Sequence, residues 1–158
     1  MMRRSRAREV ALQLLFQRDL NPRGEQLQLE RFAKDRLREP SLQKFCMSLV
    51  DGVHAHLQEI DTRLSAVAEN WRLPRMAVVD RNILRMGTYE LLFTPATPAA
   101  AAMDEAIELA RRFGTLDSPR FVNGVLDKLK PQDPAAAAEP TEAAPPSEAV
   151  ESAKPAIP

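Results

Sequence analysis

One cysteine, two histidines and five glycines are all that this chain of 158 residues offers toward disulfides, metal sites and phosphate-cradling loops. Cys46 has no partner for an internal disulfide. Gly24, Gly52, Gly87, Gly114 and Gly124 never come closer than ten positions, so neither the dinucleotide fingerprint nor the P-loop, which need glycines two to five apart, can be present. His54 and His56, two positions apart on a helix, point to nearly opposite faces. Cys46 shares a face with His54 but lies about 12 Å away along the axis, too far for one metal ion. No metal and no cofactor is therefore expected, and both histidines read as solvated. Asp80 beside Arg81, or Glu105 with Glu108, could be arranged as acid-base pairs, but helix surfaces carry such charges routinely, and the chain is expected not to be an enzyme. Apolar runs fall far short of the ~20 residues that span a bilayer. The apolar stretch after the arginine-rich start is interrupted by Glu9, Gln13, Gln17 and Arg18. A cleaved signal is not expected, and the reading is a cytoplasmic protein without a membrane partner.

Net charge is lacking too: 22 Lys and Arg stand against 22 Asp and Glu. The balance conceals two unlike parts. Residues 1–130 hold 21 bases and 17 acids, whereas residues 131–158 set Lys154 against Asp133, Glu139, Glu142, Glu148 and Glu151. The second part also holds seven of the 13 prolines and nine alanines, with no aromatic residue and no apolar periodicity. Such a composition buries too little surface to offset the entropy of ordering, so 131–158 is expected to be a disordered acidic tail behind one compact domain, 1–130.

Within that domain the helical period dominates. Leu42, Phe45, Leu49, Val53, Leu57, Ile60, Leu64, Val67 and Trp71 recur about every 3.6 residues, between Pro40 and Pro74. Asp61 is a candidate N-cap inside this stretch, which would divide it into two helices near Ile60. Further helices are expected over 4–19, 26–38 and 75–93. Thr97-Pro98 and Ser118-Pro119 repeat a hydroxyl N-cap with proline at the first helical position. The helix after Thr97 carries Asp104, Glu105 and Glu108 early and Arg111 and Arg112 late, before a glycine C-cap at Gly114. No segment alternates as a strand does, so the fold class is all-α with six or seven helices, and Gly124 reads as a small-residue packing contact.

Arginine outnumbers lysine 17 to 5, and Arg3, Arg4, Arg6 and Arg8 crowd the start of the first helix, opposed only by Glu9. Positive charge there works against the helix dipole, and a polyanion would reverse the sign. Guanidinium forks grip phosphate with two hydrogen bonds and stack on bases, which suits RNA; the alternative is a frayed, solvated basic end. Phe16 either stacks a base or joins the core.

Three segments in order are recognisable: R-R-S-R-A-R-E-V-A-L-Q-L-L-F (3–16); I-D (60–61) followed by W-R-L-P-R-M-A-V-V-D-R-N-I-L-R-M-G-T-Y-E-L (71–91); and D-E-A-I-E-L-A-R-R-F-G (104–114) followed by S-P-R-F-V-N-G-V-L-D-K (118–128). They closely resemble the NusB family of bacterial transcription antitermination proteins, and the resemblance covers residues 3–129. It implies about seven helices in two small packed bundles, no catalysis, and binding of the single-stranded boxA element of ribosomal RNA transcripts. It also implies a heterodimer with the ribosomal protein NusE, association with elongating RNA polymerase and other Nus factors, and a monomer or homodimer when partners are absent. Carried over by position, Arg3, Arg4, Arg6 and Arg8 contact phosphates and Phe16 sits near the RNA, with Arg85, Phe121 and Asn123 at or beside that surface. Ser5 stands where some relatives have another base. The partner face falls around Trp71, Asp80, Arg81, Glu90 and Asp117, with core packing for Trp71 and salt bridges for Asp80 and Arg81 as alternatives. Two other functions fit parts of the pattern: the RNA-targeting module of a ribosomal RNA cytosine methyltransferase, and a helical protein-binding adaptor without RNA.

Overall fold

A computed structural model describes residues 3–68 and 75–131. Seven α-helices and no strand occur among the described residues: α1 (Arg3–Leu20), α2 (Gln26–Arg36), α3 (Pro40–Ala55), α4 (Leu57–Val67), α5 (Val78–Phe93), α6 (Ala99–Phe113) and α7 (Ser118–Leu129). The helical period read from the sequence is therefore the period of the fold. Helices α1–α3 pack together, α4, α6 and α7 pack on α5, and α5 also lies against α1 and α3. This shared helix joins the two groups into one core, in which Leu14, Leu49, Ile60, Leu64, Ile83, Leu84 and Leu126 are fully buried.

Several boundaries differ from expectation for identifiable reasons. The long apolar stretch breaks at His56 rather than near Ile60. His56 leaves helical geometry (φ −112°, ψ 19°) and its ring stacks on Phe93 at 4.2 Å, so it is a packed residue and not a solvated one. Asp61 caps nothing; its carboxylate accepts two hydrogen bonds from Arg85, each 2.9 Å. Helix α5 starts at Val78 because Ala77 is extended (ψ 139°). Thr97 lies two residues before α6, where Pro98 takes the N-cap position, and Asp117 rather than Ser118 precedes α7. Ser118 is buried instead, with its Oγ accepting the Thr115 N–H at 2.9 Å. Cys46 is wholly buried, and desolvation together with the Asp51 charge pushes its thiol up to about 12, far from reactive ionisation.

Two glycines have opposite meanings. Gly114 follows α6 in an extended, ordinary conformation, so its value is space: a Cβ there would meet Ser118 Cβ at 2.5 Å and the Ala110 carbonyl oxygen at 2.9 Å. Gly124, expected to be a packing contact, has nothing within 4 Å of a Cβ and lies exposed on α7. Gly124→Ala should therefore stabilise the fold by about 1 kcal/mol through helix propensity. Gly114→Ala should destabilise it by about 2 kcal/mol or more through overpacking of the α6–α7 turn. Urea titrations of the two variants check both signs.

Candidate functional site

Helix α1 carries the functional pattern because each turn of it is held by a different part of the chain. At its start Arg3 and Arg4 are exposed. Arg3 donates from Nε to Glu39 at 2.9 Å, and the Arg4 guanidinium lies over the Phe45 ring at 4.4 Å. Ser5 Oγ donates to Glu105 at 2.7 Å, which ties this turn of α1 to α6. Arg6 is half-buried and pairs with Glu9 at 3.1 Å; Glu9, itself buried, also meets Arg112 at 3.1 Å.

Arg8 departs from the expected role. Its side chain is 7% exposed, and its fork donates twice to Glu90, Nε to Oε1 and Nη2 to Oε2, both at 2.8 Å. Burial works to lower its basicity, but the hydrogen bonds to Glu90 and the charges of Glu90 and Glu105 outweigh it and hold the guanidinium above its ordinary range. Glu90, 2% exposed, is equally enclosed. An arginine committed at both prongs has no fork left for phosphate, and a carboxylate at this depth touches no partner, so both residues leave the surface assignment for a structural one.

The other end of α1 is a second ionic cluster. Asp19 Oδ2 accepts from Arg81 Nε (3.0 Å) and Nη2 (2.7 Å), from Asn82 Nδ2 (3.1 Å) and from Arg85 Nη1 (3.4 Å). Arg81 and Arg85 are thus tied into the α1–α5 contact, Arg81 in the salt bridge that stood as its alternative. Partial burial would raise the Asp19 pKa, but the hydrogen bonds from Arg81 and Asn82 and the two arginine charges leave it below its ordinary value. With the folded value below the unfolded one, this contribution is complete above about pH 4 and is lost as pH falls through the folded pKa. The urea midpoint should decline on acidification below about pH 4, and Asp19→Asn should flatten that decline while lowering the midpoint at pH 7.

Between these ends lies a groove of about 520 Å³, lined by Leu12, Gln13 and Phe16 of α1, Phe32 of α2, Val79 of α5 and Phe113 of α6. Its lining is mainly apolar, and Phe16 and Phe113 are 37% and 39% exposed. Gln13 Oε1 has no hydrogen-bond partner among the described residues, nor does Asp80 Oδ1, one residue beyond Val79. Phe16 is thus brought together with the neighbour of Asp80 and separated from the arginine end. Phe121 packs against the core from α7, Asn123 is exposed on the same helix, and Asp117 is exposed before it. Trp71 lies outside the described residues.

Residues not singled out from the sequence complete the basic end. Contact of Arg3 with Glu39 and of Arg4 with Phe45 brings α1 against the start of α3, where Arg38 and Lys44, next in sequence to Glu39 and Phe45, are exposed and add to the positive charge of this end. Among the described residues, no group of His, Cys, Asp and Glu could hold a metal ion, and no helix is long and apolar enough to cross a membrane.

A seven-helix domain with a basic helix start beside an apolar groove defines a small, all-α class of protein, organised around binding surfaces. The chain belongs to the NusB family, whose model matches residues 5–131. It is 48% identical over 127 residues to the transcription antitermination protein NusB of Elusimicrobium minutum, covering 78% of this chain and 90% of that protein. To NusB of Streptomyces avermitilis it is 43% identical over 144 residues, covering 88% and 99%. Among solved structures it is similar to T. maritima NusB, with a TM-score of 0.71 and 37% identity over 80% of this chain and 89% of that one. It is also similar to a chain in a crystal structure of antitermination factors NusB and NusE in complex with double-stranded RNA, with a TM-score of 0.73 and 25% identity over 82% and 97%.

Proposed function

We propose that this chain is a transcription antitermination factor that binds boxA RNA together with NusE and acts on the elongating RNA polymerase, without catalysing a reaction. The observation that carries this reading is the division of α1 into a basic end and an apolar groove. Arg3, Arg4 and Arg6, extended by Arg38 and Lys44, form the phosphate surface, and the groove around Phe16, with Asp80 at its side, takes NusE. Phe16 thus moves from the RNA to the protein partner, because it shares a mainly apolar groove with Leu12, Phe32 and Phe113, in which the one guanidinium, that of Arg36, is stacked on Phe32 at 4.2 Å. Asn123 and Asp117, exposed on and before α7, remain candidate contacts of the RNA and of the partner respectively.

Labelled boxA RNA, measured against a scrambled sequence of equal length with and without NusE, tests the whole reading. NusE is expected to tighten boxA binding and not scrambled binding. Phe16→Asp should abolish that gain while leaving the weak RNA binding of the chain alone within about twofold. A Phe16→Asp protein that keeps the full gain would return Phe16 to another role. RNA binding absent under all these conditions would favour the protein-only adaptor.

A further inference from the structure

The basic surface described above is incompletely neutralised by its own domain. Arg4 stacks on Phe45 and no carboxylate pairs with it, and neither Arg38 nor Lys44 has a carboxylate partner among the described residues. The compensating charge lies elsewhere in the same chain. Asp133, Glu139, Glu142, Glu148 and Glu151, against Lys154, make residues 132–158 net acidic, while the rest of the chain carries an equal excess of base. The family match stops at residue 131, so this segment lies outside the matched region. Described structure ends at Pro131, just after α7.

We infer that the acidic segment 132–158 docks intramolecularly on the Arg4–Arg38–Lys44 surface and competes there with RNA phosphates. Reach is not limiting. A segment of this length has a contour of about 90 Å, against a domain diameter on the order of 35 Å. Tethering sets an effective concentration on the order of millimolar. A few exposed charge pairs bind in the millimolar range, so the tail occupies the surface for a substantial fraction of the time without closing it permanently. RNA, with several phosphates in register, displaces it. Because the contact is between exposed charges, it is strong at low salt and is screened as the Debye length falls from about 14 Å to about 4 Å. The expected effect is selectivity: weak, non-specific RNA is held off and a ligand strengthened by NusE is admitted. This rests on the RNA-binding reading above.

The test uses the full chain with D133N, E139Q, E142Q, E148Q and E151Q combined, leaving every domain residue unchanged. At about 50 mM salt the variant should bind labelled single-stranded boxA RNA roughly two- to threefold more tightly than the parent, and the difference should vanish at about 0.5 M. Zero-length carbodiimide coupling of the parent without RNA should join Lys44 to a tail carboxylate within one chain, and added RNA should suppress the product. Equal affinities at low salt overturn the inference. A change in affinity without any Lys44 crosslink assigns the effect to long-range charge alone and also overturns it, as does a crosslink formed only between two copies. Crosslinks suppressed by no RNA, with no RNA bound by either protein, would leave the docking in place and remove the RNA-binding reading instead.

Discussion

Replacing Glu90 by alanine is expected to lower the stability of the domain by about 3–5 kcal/mol, which corresponds to a fall in Tm on the order of 10–20 °C. The Arg8 fork loses both of its short hydrogen bonds and keeps its charge inside the α1–α5 contact, where water does not compensate it. Arg8→Ala should be comparably damaging, because the orphaned Glu90 carboxylate is buried more deeply still. Replacing both residues together, as Arg8→Met with Glu90→Leu, should recover most of the loss, since the desolvation cost of the ions disappears with the ions. Thermal and urea unfolding of the three variants distinguish this from ordinary packing loss, for which the double replacement would cost about the sum of the single ones. A Glu90→Ala protein that melts within a degree or two of the parent would show that the pair contributes nothing.

The second large effect is on RNA. If about four phosphates are neutralised by the basic end of α1 and its flank, affinity for single-stranded boxA should fall roughly fiftyfold between about 50 and 200 mM salt, from a slope near −0.7 per contact. Combined Arg4→Ala, Arg38→Ala and Lys44→Ala should reduce that slope by about two units and leave the melting temperature nearly unchanged, since none of the three pairs with a carboxylate. Arg8→Lys should affect stability more than the salt slope, because Arg8 is spent on Glu90. Affinity that stays flat across this salt range would rule out the basic end as a phosphate surface.

What could be read from the sequence followed from local rules. The apolar recurrence from Leu42 to Val67, the prolines at 98 and 119 and the glycine after α6 all mark the helices to within a few residues, because each signal and its cause lie within a turn or two. The family resemblance supplied the order of the helices as well. Long-range partners were not legible. Arg8 reads as one of four equivalent arginines, yet a residue 82 positions away fixes it inside the protein. Glu90 likewise reads as a residue of the partner face, and Asp61 as a cap, until Arg8 and Arg85 are placed beside them. Phe16 reads as either a base-stacking or a core residue, whereas its place as a wall of an open groove with Phe32, Val79 and Phe113 depends on three other helices. Gly124 failed in the opposite direction: glycine inside a helix suggests close packing, and here no neighbour approaches.

The attachments of α1 also set an order of events in time. Ser5 meets Glu105 across 100 positions, Arg8 meets Glu90 across 82, and Glu9 meets Arg112 across 103. During synthesis at about 5–20 residues per second, the first helix therefore leaves the ribosome several seconds, up to about twenty, before the residues that anchor it exist. Its arginines are available to any polyanion throughout that interval, on a helix that still lacks the tertiary packing from which most helical stability comes. The basic end of α1, the proposed RNA surface, is thus the first part of the chain to be made and among the last to acquire its shape, and nascent protein held away from nucleic acid should mature faster than protein that is not.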